Sequence, residues 1–309
     1  MGLVSAREES EAAAVAPQAG KPPELEDALN RLLYHPLARR LALALRFTPV
    51  SPNMVSGAGG LLVIAAGIAY TWLAWPTGVV IGFTLHMLWH VVDGADGDLA
   101  RMTGKASPTG ELVDGMCDYG GHIVLYTMLA MMLDETLGLW AFAAAAAAGL
   151  SRIVQANYAE SQRRTYLWRA YGVPWLQQSQ NAGDELFRKR NWATSLFGGL
   201  ATGYLKLSRT MSPHSQALND LIARIGDDPR GKRHVARTSR ASFGATRHLQ
   251  QLLGANARTI VLGVSMALGS PLWFFLFECA LSFVLVAAII QANRVELRML
   301  HALDRPIRS

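Results

Sequence analysis

Six runs of apolar residues, at 57–75, 77–92, 119–133, 137–157, 255–269 and 271–293, limit what this chain can fold into. A helix rises about 1.5 Å per residue, so about 20 residues cross the roughly 30 Å of a bilayer's hydrocarbon. The runs 77–92 and 119–133 reach that length once their helices continue into the polar segment between them. One span over 255–293 would be about twice the required length, so Gly269-Ser-Pro271 is read as a break between two. Composition agrees: 51% of residues are hydrophobic and only 17% charged, where a soluble domain carries about a quarter. The fold class is therefore all-α integral membrane, with six transmembrane helices and, as argued next, an N-terminal amphipathic surface helix.

Residues 1–23 are rich in Ala and Glu and lack the basic start and apolar core of a secretory signal; they read as a disordered cytoplasmic tail. Within 24–56, leucines at 25, 29, 32, 33, 37, 41 and 45 keep helical spacing, with Arg31, Arg39, Arg40 and Arg46 between them and Pro36 as an interruption. That pattern suits a helix lying on anionic lipid, followed by a linker at Thr48–Ser56 that breaks it and caps the next helix. Transmembrane helices 1–4 occupy 57–157, a basic cytoplasmic or interfacial loop 158–256, helices 5 and 6 the stretch 257–293, and a cytoplasmic tail 294–309. Cys117 and Cys279 support no disulfide framework.

Lysine and arginine orient the spans. Neither occurs between Phe47 and Ala100 or between Thr259 and Asn293, and Lys105 alone falls between Met102 and Ser151. The stretch 160–256 carries 15 Lys and Arg against 6 Asp and Glu. The positive-inside rule places that stretch, both termini and the polar segment near residue 100 in the cytoplasm, at the inner (cytoplasmic) membrane of a bacterium. Its apolar stretch 191–207 and short amphipathic helices at 218–225 and 249–253 suit the surface of an anionic leaflet; no nucleic-acid motif is present.

The polar segment reads D-x2-D-G-x2-A-R-x8-G-x3-D-x3-D from Asp93 to Asp118. If the second span continues as a helix, Asp93, Asp96, Gly97, Ala100 and Arg101 share one face. Gly104 would stop it, and Ser107-Pro108 would cap a new helix that carries Gly110, Asp114 and Asp118 on one face. Two pairs of carboxylates then oppose each other. Oxygen donors without His or Cys suit Mg²⁺ or Mn²⁺, and two such ions can grip a diphosphate. Gly97, Ala100 and Gly110 leave room for a ligand, and Arg101 offers a fixed cation to a phosphate. An EF-hand would need alternating ligands along one loop instead.

This stretch resembles the signature of the CDP-alcohol phosphotransferase (CDP-alcohol phosphatidyltransferase) family, at every signature position. The resemblance implies a membrane transferase of phospholipid synthesis that releases CMP, with Asp93, Asp96, Asp114 and Asp118 as ligands of two divalent ions and Asp118 also the base for the attacking hydroxyl. It implies a cytidine diphosphate site lined by Gly97, Ala100, Arg101 and Gly110, with Asn53 of a Pro52-Asn53 pair helping to hold the nucleotide, and a homodimer. The donor is read as CDP-diacylglycerol and the acceptor as a small polar alcohol, phosphorylated or not. The alternative is a CDP-linked head group donated to a lipid alcohol, which the stretch from Ser107 to Asp118 resembles in its details. A non-enzyme alternative, a divalent-cation carrier or membrane scaffold, would use the same carboxylates, but a carrier would spread acidic groups near the midplane of several spans.

Beyond the motif, a phosphorylated acceptor calls for a cation, and Arg152 lies deep enough in its span for a charge there to be costly without a use. Arg163 and Arg164 read as the basic collar of that helix. His86, His90 and His122 are expected to make buried hydrogen bonds, and Glu278, mid-span, to be protonated or paired across a subunit contact.

Overall fold

The computed structural model describes residues 22–173, 211–226 and 228–304. The tail 1–21, the stretch 191–207 and the last five residues of the C-terminal tail lie outside the described residues. All regular structure among the described residues is helical: α1 His35–Leu45, α2 Pro52–Trp72, α3 Thr77–Met102, α4 Pro108–Leu137, α5 Leu139–Tyr171, α6 Pro213–Ile225, α7 Pro229–Leu252, α8 Ala255–Ala267 and α9 Leu272–Leu303. By length and composition α2, α3, α5 and α9 can each cross a membrane. Helix α4 follows 30 residues with acids at both ends, and α8 has only 13 residues, about 20 Å of rise, so neither meets that test.

The chain forms two compact units. One comprises Pro22–Ala156 and Leu253–Ser282. In it α2 packs against both α3 and α4, around a core that includes Val63, Tyr70, Trp89, Leu125, Leu129 and Phe274. The α2–α4 contact is backbone to backbone: a Cβ on Gly60 would lie 2.8 Å from the Cys117 carbonyl oxygen, and one on Gly121 2.9 Å from the Gly60 carbonyl oxygen. Small residues permit this approach in a bilayer, where no hydrophobic force drives helices together. Helix α3 runs unbroken from its apolar part through the acidic motif, stops before Gly104 at φ 66°, and α4 restarts at Pro108 with the Ser107 hydroxyl accepting the Gly110 N–H at 3.1 Å. That is the stop and cap read from the sequence.

Pro36 does not interrupt the N-terminal helix. A π-helical turn over Asn30–Tyr34 precedes α1, so the proline, which can give no N–H to the turn before it, is absorbed as an early residue of α1. Tyr34, Ala38 and Ala42 are buried with Val91, Ala95 and Leu99 of α3, while Leu32, Leu37 and Leu43 are exposed on the remainder of the helix.

The other unit contains the described parts of Asn157–Leu252 and Phe283–Ser309. Helix α5 continues to Tyr171, and α6 and α7 follow where the sequence suggests a loop with two short helices. Leu218, Val235, Met299 and Leu303 form its apolar centre, and Tyr166 stacks on Phe243 with ring centroids 4.2 Å apart. Helix α7 is hard to read from apolar spacing because its buried face is Gly231, Val235, Ser239, Phe243 and Thr246, and only two of these are apolar.

Candidate active site

The helical period brings the acidic side chains of α3 and α4 to one place, and α2 supplies the support beneath them. Asp96 is 6% exposed and its Oδ2 accepts the Ser56 hydroxyl of α2 at 2.5 Å. The Asp96 and Asp114 carboxyls come close enough across α3 and α4 to interact directly. Burial, then the charges of Asp96 and Asp93, push the Asp114 carboxyl up to about 8. A carboxylate pair held this close cannot both ionise without a compensating cation.

One turn further along α4, Asp118 has its Oδ1 3.3 Å from Nδ1 of His122. That ring nitrogen lies 2.8 Å from the Asp118 backbone carbonyl oxygen and donates there, so Oδ1 is enclosed with no hydrogen-bond partner. The assignment leaves Nε2 of His122 as an acceptor, and Nη2 of Arg152 donates to it at 3.0 Å. Arg152 in turn stands 3.7 Å from Glu278, which is fully buried, accepts the Tyr126 hydroxyl at 2.8 Å and pairs with Arg258. Arg258 also donates to the Gln155 side-chain oxygen at 2.8 Å. Glu278 thus finds its countercharge within the chain rather than through protonation or a subunit contact, and Arg152 is buried between His122 and Glu278.

The remaining motif residues line the adjoining ends of the same helices. Arg101 pairs with Asp98 at 2.5 Å with 60% of its side chain exposed, and its guanidinium lies over Gly97, where a Cβ would sit 3.3 Å from Nη1. Ala100 is partly buried on the same helix. Asn53, in the first turn of α2, approaches Gly110: its Oδ1 is 3.7 Å from where a Cβ there would stand. Asn53, separated from Gly110 by the whole of α2 and α3, is therefore at the motif.

Among the described residues no three Asp, Glu, His or Cys side chains converge as a metal-binding group. The donor set nonetheless fits a hard divalent cation by its chemistry, since its members are all carboxylate oxygens, the Asp96 and Asp114 charges act on each other at close range, and Asp118 Oδ1 is orphaned. The histidines are satisfied differently. His90 meets Thr259 Oγ1 at 2.9 Å and His122 bridges Asp118 and Arg152, whereas both nitrogens of buried His86 lack a hydrogen-bond partner. Ser56 and His122 touch the acidic cluster directly. His122 could have been found from its i+4 spacing to Asp118, but nothing in the sequence marks Ser56, forty residues from Asp96.

The family model that matches the chain is that of CDP-alcohol phosphatidyltransferase, over residues 49–173, which takes in Asn53, Ser56, the whole motif and Arg152. Members of that family are transferases of substituted phosphate groups. Among curated proteins none matches the chain.

Proposed function

We propose that this chain is a member of the CDP-alcohol phosphatidyltransferase family that moves a phosphatidyl group from CDP-diacylglycerol to a small polar alcohol, phosphorylated or not, and releases CMP. The observation that supports this most is the meeting of Asp96 and Asp114 across α3 and α4, whose mutual repulsion a cation would relieve. Asp93, Asp96, Asp114 and Asp118 would hold two divalent ions, Mg²⁺ or Mn²⁺. When bound, these would supply the positive charge that grips a diphosphate and stabilises CMP as it leaves.

The chain's own residues account for the rest. Asp118 takes the proton of the acceptor hydroxyl; the new bond forms between the hydroxyl oxygen and the lipid-bearing phosphorus, and the bond from that phosphorus to the CMP oxygen breaks. His122 holds Asp118 in place from one side, and Arg152 behind it fixes the His122 tautomer. Arg101, 60% exposed, and Gly97, Ala100 and Gly110 form the nucleotide side of the site with Asn53. Ser56 keeps Asp96 aimed at Asp114.

The reading extends to the membrane. Helix α4 spans through its apolar part, 119–133, and α8 completes a crossing together with the turn before α9, giving six spans. The motif faces the cytoplasm of a bacterial inner membrane, with α1 on the lipid surface, and the enzyme is a homodimer. The sequence of Ser107-Pro108-x-Gly110-Glu111 favours a second reading, transfer of a phospho-head group from a CDP-alcohol to a lipid alcohol. Release of CMP by purified protein, with Mg²⁺ or Mn²⁺ and a panel of donors and acceptors, separates the two. Reaction of CDP-diacylglycerol supports the first, reaction of CDP-choline or CDP-ethanolamine alone supports the second, and no CMP from any donor refutes both.

A further inference from the structure

Each of the four helices long and apolar enough to cross a membrane carries a tryptophan at one end. Trp72 is the last residue of α2, Trp75 stands two residues before α3, and Trp140 and Trp273 are the second residues of α5 and α9. They are 76%, 69%, 78% and 58% exposed. Tryptophan is on average a well-buried side chain, so half of the chain's eight in this state call for something that covers them. None of the four indole N–H groups has a hydrogen-bond partner among the described residues.

All four belong to the compact unit that holds the acidic motif, and the motif lies at the other ends of its helices. From Thr77, where α3 begins, to Asp96 is 19 residues, and from Asp118 to Leu137, where α4 ends, is again 19. At about 1.5 Å per residue each stretch rises about 28 Å, close to the roughly 30 Å of a bilayer's hydrocarbon. The chemistry of the tryptophan end narrows what covers it. An indole is a flat apolar body with one donor, and it settles where hydrocarbon meets hydrogen-bond acceptors. Phospholipids offer that layer at their esters and phosphates. The turns at this end contain no Lys or Arg, so the indole N–H groups are its chief side-chain donors, and Asp134 and Glu135, exposed near the end of α4, mark where water begins.

We propose that Trp72, Trp75, Trp140 and Trp273 form a belt that docks in the ester and phosphate layer of one leaflet. The belt fixes the depth of the acidic cluster, one hydrocarbon thickness away, at the head groups of the other leaflet. It requires that the four helices cross the bilayer and is independent of the donor, acceptor and metal proposed above. Fluorine NMR of the full-length protein labelled with fluorotryptophan, in lipid nanodiscs, tests it, with Trp72→Phe, Trp75→Phe, Trp140→Phe and Trp273→Phe assigning the lines. The probes are a phospholipid with a nitroxide beside its esters, one with a nitroxide at the chain end, and a water-soluble gadolinium chelate. Each of the four lines should broaden at least about twofold more with the ester-level nitroxide than with either other probe. Leu61→Trp, at a position 67% exposed and 11 residues along α2 from Trp72, sets a reporter about 16 Å deeper, where the chain-end nitroxide should act most. Broadening of the four lines chiefly by the chelate would place them in water and refute the belt. Lines that neither nitroxide reaches, while the chain-end probe reaches the Leu61→Trp reporter, would show that protein covers them, refuting the belt with the crossing intact. A Leu61→Trp reporter beyond reach of the chain-end probe would show that α2 does not cross, and the belt would fall with it.

Discussion

Gly60→Ala tests the backbone contact that sets α4, and with it Asp114 and Asp118, against α2. The added Cβ would lie 2.8 Å from the Cys117 carbonyl oxygen and 3.3 Å from its carbon, where ordinary contact begins at 3.4 Å. Both atoms are backbone, so the helices must part by about 0.6 Å or bend, and overpacking of that kind costs about 1–3 kcal/mol. Alanine also returns up to about 1 kcal/mol of helix propensity, which would mask part of the loss. Gly57→Ala removes this ambiguity, because a Cβ at Gly57 meets nothing within 4 Å on the same helix and receives the propensity gain alone. Gly60→Ala should therefore be less stable than Gly57→Ala by about 1–3 kcal/mol in thermal unfolding of the detergent-solubilised protein. Asp118 follows Cys117 in the chain, and a shift of about 1 Å at a reacting group can cost about 10²-fold, so CMP release should fall about tenfold or more in Gly60→Ala and stay within about twofold in Gly57→Ala. Equal melting and equal turnover in the two variants would refute the close α2–α4 approach.

Asp118→Asn should lower CMP release at least about 10²-fold with an unchanged melting curve, and near-normal turnover would remove Asp118 from the role of base. Ser56→Ala deletes the 2.5 Å bond to Asp96 and should raise the Mg²⁺ or Mn²⁺ concentration for half-maximal activity about tenfold; an unchanged metal dependence would show that Ser56 only packs. Chelation should abolish activity and added Mg²⁺ or Mn²⁺ restore it; turnover that persists in excess chelator would exclude a dissociable ion. Glu278→Gln leaves the buried Arg258 and Arg152 without their carboxylate and should cost about 3–5 kcal/mol, with Arg258→Gln in the same chain recovering part of it. A double variant no more stable than Glu278→Gln alone would show that the pair is not coupled.

The acidic motif is legible in the sequence because its geometry is local. Helical period alone puts Asp93, Asp96 and Arg101 on one face of α3, and Gly104 with Ser107-Pro108 dictates the stop and restart that turn α4 back toward it. What surrounds the motif is not local. The Ser56–Asp96 bond joins residues 40 apart and the Arg258–Gln155 bond residues 103 apart, and neither leaves a trace in spacing or composition. The second unit shows the same limit from another side. Apolar periodicity detects helices that bury hydrocarbon, whereas α7 buries Gly231, Ser239 and Thr246 beside a single Val and Phe, and the Arg169–Glu296 pair is set by helices 127 residues apart. Glu278 joins both lessons. Its cost in a span is visible in the sequence and rightly predicts a use, but the choice among protonation, a subunit contact and an internal partner depends on Arg258 of α8 lying beside α9. That placement also ties Glu278, through Arg152 and His122, to Asp118: a charge buried far along the chain becomes part of what holds the proposed base.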